Sequence, residues 1–116
     1  MAPLAAFTAI ADPALPIKSG TYQFQHRDME FPGSKGFHVT AKISGYHIRI
    51  VNTQEHGVIP RGLLSDATLM WHKRTKQWIL GHHNADRYAT EVGGCSDGPQ
   101  VVDLARRIYW TCEGGP

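Results

Sequence analysis

The side chains with most chemistry to offer are seven histidines, two cysteines and a basic stretch in the middle of the chain. Residues 31–83 carry Lys35, Lys42, Arg49, Arg61, Lys73, Arg74 and Lys76 against Glu55 and Asp66, a balance of +5 in a chain of net charge +2, which leaves −3 on the two ends. Six of the seven histidines fall in the same stretch. It therefore becomes more cationic below about pH 6.5, where an unperturbed imidazole protonates. This balance suits an anionic partner, an acidic polysaccharide or a nucleic acid, with Lys42, His47, Arg49, Lys73, Arg74 and Lys76 as its contacts. The plainer reading of the same residues is the solvated outer face of a sheet.

Catalytic and metal chemistry find less support. No two histidines stand as His-x-His or His-x₃-His, and adjacent His82 and His83 would point to opposite faces of an extended segment. A zinc site would have to be assembled from separate strands, for example from His38, His47 and His72, so no metal is assigned. Gly94-Cys95-Ser96-Asp97-Gly98 has the Gly-x-Ser-x-Gly form of a nucleophile elbow, but Pro99 and a strand-like run follow where the motif needs a helix. Cys95 has no nameable orienting base, and Asp28, Glu30 and Asp97 sit in loop-like sequence with no apolar pocket to raise a carboxyl pKa. The reading leans away from an enzyme, and no cofactor is expected. Cys95 and Cys112 are close enough in sequence for a turn to bring them together, as a disulfide or as two free thiols.

The elements that must position these residues are mostly strands. Residues 36–52 alternate apolar and polar on both sides of Ser44-Gly45, a hairpin signature. A turn at Ser44-Gly45 pairs Ile43 with Tyr46, Ala41 with Ile48 and Val39 with Ile50 on an apolar face. It sets Lys42 against His47, Thr40 against Arg49 and His38 against Val51 on the other. A second hairpin joins residues 67–72 to 77–82 through Lys73-Arg74-Thr75-Lys76, pairing Trp71 with Trp78 and Leu69 with Leu80. Its reverse face carries Met70 beside Ile79, apolar too, and so calls for cover from an N-terminal helix or from the mate in a homodimer.

Residues 21–26 read as a strand with Tyr22 and Phe24 on one side. Residues 58–64 contain Pro60, which cannot donate to a ladder, so that segment is an edge strand, a bulged strand or no strand. Residues 100–103 and 107–112 complete the strands. Leu4, Phe7 and Ile10 at three-residue spacing suggest a short helix over residues 1–11, and an Asn84 cap with a terminal Gly93 suggests another over 84–92. The first stretch lacks the basic start and long apolar run of a signal peptide, and nothing approaches the length of a membrane span. The expectation is one mainly β domain over 1–116, an antiparallel up-and-down barrel of seven or eight strands, with a two-sheet sandwich second.

Gly20-Thr21-Tyr22, heading the first strand after a short helix, resembles the Gly-x-Trp motif that opens lipocalin-like (calycin) barrels, with Tyr22 in the place of Trp. The resemblance implies that a basic residue of the last strand, Arg107 or Arg106, packs over Tyr22. It also implies an interior site for a small apolar or aromatic ligand, lined by some of Tyr22, Phe24, Val39, Ile48, Ile50, Leu69, Trp71, Trp78 and Leu80. Against it stands the alternative that the same side chains fill the interior as core.

Overall fold

The computed structural model describes residues 12–29, 37–54 and 60–112. Seven strands form a closed barrel in sequence order: β1 (Gly20–Asp28), β2 (His38–Ser44), β3 (His47–Asn52), β4 (Gly62–His72), β5 (Gln77–Gly81), β6 (Val101–Asp103) and β7 (Ile108–Thr111). Consecutive strands pair antiparallel, but β7 closes on β1 in parallel, from Gln25 opposite Ile108 to Asp28 opposite Thr111. The purely antiparallel expectation fails by parity. In an up-and-down meander of seven strands the first and last run the same way, so closure must be parallel.

Side-chain alternation then separates inside from outside. Phe24, Val39, Ala41, Ile43, Ile48, Ile50, Leu69, Trp78, Leu80, Val102 and Tyr109 form one buried cluster, with Tyr22 and Trp71 packed against it. The apolar faces of both expected hairpins are the faces that point inward. In the second hairpin the register is as expected, Trp71 opposite Trp78 and Leu69 opposite Leu80.

The first hairpin is displaced by one residue. Ile43 lies opposite Ile48, Ala41 opposite Ile50 and Lys42 opposite Arg49, so the turn is Gly45-Tyr46. Gly45 has φ +60, while Tyr46 does not share that conformation. A glycine at the first central position is what a II′-type turn requires, and its twist matches the flanking strands. Placing Gly45 second would forgo this. The inward set is unchanged except for Tyr46, which leaves the interior for the turn and is 43% exposed.

β4 is longer than expected because a bulge carries it past the irregular segment. Ile50 faces Ser65 but Val51 faces Leu63, so Leu64 is the extra residue. Pro60 stays outside the ladder, where its carbonyl accepts from Asn52 Nδ2 at 3.1 Å.

No α-helix occurs among the described residues; the helix expected over 84–92 is a single 3₁₀ turn, Asn84–Tyr88. The Asp86 carboxylate accepts from the backbone N–H groups of His82 and His83 at 2.8 and 3.1 Å, which fixes this tight turn. The expected N-terminal helix falls on residues 1–11, outside the described residues.

The 3₁₀ turn packs against β4 and β5. Here Ile79 is fully buried, Met70 nearly so, and His72 Nε2 meets the Ala89 carbonyl at 2.7 Å. The chain's own 82–100 excursion thus lies over the Met70/Ile79 face, and a homodimer through that face would have to displace it. Cys95 and Cys112 form a disulfide that ties this excursion to the end of β7. No helix among the described residues is long and apolar enough to cross a membrane.

Candidate cationic end of the barrel

The meander sorts the connections into two ends. At one, β1 and β3 finish, β2 and β4 begin, and the 82–100 connection stands; the other holds the start of β1 and the three tight turns at 45–46, 73–76 and 104–107. At the second, the turn end, residues 18–20, 44–47, 73–76 and 103–107 contribute six lysines and arginines, Lys18, Lys73, Arg74, Lys76, Arg106 and Arg107, against one carboxylate, Asp103. All six cations are exposed.

Each turn has a local reason to stand where it does. Lys76 adopts φ 56 and closes a four-residue loop with its N–H donating to the His72 carbonyl at 2.8 Å. That loop projects Lys73 and Arg74 past the end of β4. In the last turn, the Asp103 carboxylate accepts from the Arg106 backbone N–H at 2.9 Å and from its Nε at 2.8 Å. Arg107, at φ 59, places its guanidinium carbon 4.7 Å from the centroid of the Tyr22 ring, and its carbonyl accepts from the Gln25 N–H at 2.8 Å. Such a cation over an aromatic face contributes about 0.5–1 kcal/mol at an exposed site. Of the two arginines proposed to cover Tyr22, Arg107 therefore does so and Arg106 serves the turn.

Below this rim the interior is partly covered. Residues 12–19 run across it, held by the Tyr22 hydroxyl donating to the Lys18 carbonyl at 2.7 Å and the Gly45 N–H donating to Ser19 Oγ at 2.9 Å. Leu15 and Ile17 pack on the core from this segment, and Leu104 is buried beneath the last turn. Tyr46 and Trp71 flank Trp78, with ring centroids 6.2 and 5.2 Å from it.

Lys42, His47 and Arg49 stand on the outer face of β2 and β3, beside the rim. Lys42 directly opposes Arg49, a like-charged pair that is unfavourable unless compensated. Asp66 on β4 compensates in part: its carboxylate lies 2.5 Å from His47 Nε2 and 3.6 Å from Arg49 Nε. His47 and Arg49 are thus less available than the turn residues. Among the described residues no carboxylate pairs with Lys18, Lys42, Lys73, Arg74 or Lys76.

The structure brings Tyr22, Phe24, Val39, Ile48, Ile50, Leu69, Trp71, Trp78 and Leu80 onto one inward surface, where they pack against one another. It disperses the histidines. His72 is fully buried on the outer side of β4, with Nδ1 at 2.8 Å from Thr75 Oγ1. His26 lies inside at the other end, Nε2 at 2.5 Å from Thr111 Oγ1, its ring against Phe37. Among the described residues no three His, Cys, Asp or Glu side chains converge as metal ligands. Cys95 is spent in the disulfide, and Ser96 Oγ donates to the Gly93 carbonyl at 2.7 Å, shaping its own loop.

The sequence points to the cations of the 73–76 turn but not to Lys18, Arg106 and Arg107 as their neighbours, because residues far apart in sequence meet at one end only once strand direction is known. The missing signal was the parity of the connections: every second one returns to the same end.

Asp103 has a measurable role. Burial opposes its charged form, but the backbone and guanidinium hydrogen bonds and charge of Arg106, with the Ala105 N–H, outweigh this and hold the carboxyl below its ordinary value. Asp86 is lowered mainly by the His82 N–H, against the effect of burial and with help from the His83 N–H and both imidazoles. A carboxyl lowered on folding stabilises above its unfolded pKa of about 4, and that contribution disappears as pH falls through the lower folded value. Urea midpoints are therefore expected to drop on going from about pH 5 to about pH 2.5, and Asp103→Asn is expected to flatten part of that slope. An identical acid profile in the variant would contradict this.

No protein-family model, curated protein or solved structure matches the chain.

Proposed function

We propose that the protein is a non-catalytic binding module that takes an anionic polymer, an acidic polysaccharide or a nucleic acid, on the turn end of its barrel. The observation that carries this is the set of six exposed lysines and arginines at that end against Asp103, the Asp12 carboxylate of the crossing segment being paired with Arg87. Lys73, Arg74 and Lys76 form its centre, Lys18, Arg106 and Arg107 its border, and Lys42 and Arg49 extend it down the side.

The rival reading places a small apolar ligand in the interior. The packing favours the polymer: Phe24, Ile48, Ile50 and Leu69 are fully buried against their own neighbours, and Leu15 and Ile17 pack on the core from the segment that crosses the turn end. The likeness to lipocalin-like barrels rests on Gly20-Thr21-Tyr22 and on Arg107 over Tyr22, and we carry it as a likeness of architecture. Lipocalins have eight strands; this barrel has seven.

The test is retention on immobilised heparin. The wild-type chain is expected to bind at low salt and elute as salt rises, and Lys73→Ala/Arg74→Ala/Lys76→Ala to elute much earlier. Elution of both proteins together at low salt would remove the proposal.

A further inference from the structure

A groove of two adjoining parts lies along β6 and β7, its second part at the turn end of the barrel. Its first part, about 370 Å³, lies between Met29, Val92, Val101, Trp110 and the Cys95–Cys112 disulfide. Its second part, about 300 Å³, lies between the 73–76 and 104–107 turns, with Trp71, Trp78, Lys76 and Arg106 on its walls. The two parts share Gln77, Val101 and Trp110 on their walls, which places them side by side.

We propose that this groove binds a single-chain anionic amphiphile, its alkyl chain along Val92, Val101 and Trp110 and its carboxylate between Lys76 and Arg106. The apolar part leaves some hydrophobic surface open to water, with Met29 37% exposed and Val92, Val101 and Trp110 half-buried. An alkyl chain would cover that surface, whereas a polymer backbone would not enter it. The far end decides the head group. Lys76 has no carboxylate partner among the described residues, and the one acid on this wall, Asp103, is held by Arg106 at 2.8 Å. A cationic head would meet Lys76 unscreened, and a neutral one would forgo it. Each part falls at the small-molecule scale of about 300–1,000 Å³. The site shares Lys76 and Arg106 with the proposed polymer surface, and Gln77, which that surface does not use, separates the two in the test.

Calorimetry with the full chain tests it, using sodium decanoate, 1-decanol and decyltrimethylammonium below their aggregation limits. Decanoate is expected to bind one to one, about fivefold tighter than decanol at low salt, with the cation weakest. Each methylene removed from the carboxylate should weaken binding about two- to fourfold. Lys76→Ala/Arg106→Ala should abolish the advantage of decanoate over decanol while leaving decanol binding in place. Trp110→Ala should weaken all ligands about tenfold. Because that variant could disturb β7, Gln77→Trp is the second test: Gln77 is exposed, and an indole there fills the groove without touching the core. Gln77→Trp should block decanoate and keep heparin retention. Absence of saturable decanoate binding, equal affinity for the cationic amphiphile, or full binding by Gln77→Trp would each overturn the proposal.

Discussion

Enlarging Ala41 to leucine is expected to destabilise the protein by about 1–3 kcal/mol, and trimming Phe24 to alanine by about 3–5 kcal/mol. Ala41 sits at the middle of the inward face, fully buried, opposite Ile50 on β3 and Tyr22 on β1. A small residue there would mark a void if its neighbours stood back, and leucine would then fill space and stabilise. Its neighbours close over it instead. Phe24, also fully buried, lies opposite Val39 and reaches into the same cluster. Its removal loses both transfer free energy and packing. Denaturant midpoints of the two variants measure both effects, and a stabilised Ala41→Leu would show that the interior holds room for a ligand.

Loss of the Cys95–Cys112 bond is expected to cost about 3 kcal/mol, the chain-entropy value for a closed loop of this size. The bond spans 17 residues and holds the excursion whose 3₁₀ turn lies against β4 and β5. Cys95→Ala/Cys112→Ala should therefore lower the unfolding midpoint, and a reductant should lower that of the wild type to match while leaving the variant unchanged. Heparin retention should survive, because the disulfide joins the end of β7 away from the cationic turns. A midpoint indifferent to both treatments would mean that the excursion is held by its other contacts alone.

The barrel was largely legible because period-two alternation states which side chains face inward without needing the register. Val39, Ala41, Ile43, Ile48 and Ile50 point inward whether the turn is Ser44-Gly45 or Gly45-Tyr46. The register itself was not legible from alternation, since a turn moved by one residue preserves both faces; only the conformational demand on Gly45 separates the two. β4 was cut short because Pro60 ended the apparent ladder, while the bulge at Leu64 that lets the strand start at Gly62 leaves no local mark. The helix expected at 84–92 failed because its cap acts over a single tight turn. Asp86 satisfies two N–H groups at once, and Ala89 then leaves to meet His72. At the candidate site, composition revealed the excess of cations and topology revealed where they gather. Arg107 over Tyr22 was legible only through the lipocalin-like pattern.

The salt dependence of its affinity is the direct measure of the turn end as a polyanion site. The affinity of a defined single-stranded oligonucleotide or a heparin fragment, followed from about 50 to 200 mM salt, should fall along a straight line in log–log form. Replacing Lys73, Arg74 and Lys76 with alanine should reduce the magnitude of that slope by about 2 to 3, as three released counterions predict. A wild-type affinity that ignores salt, or a slope unchanged by the triple substitution, would contradict the assignment.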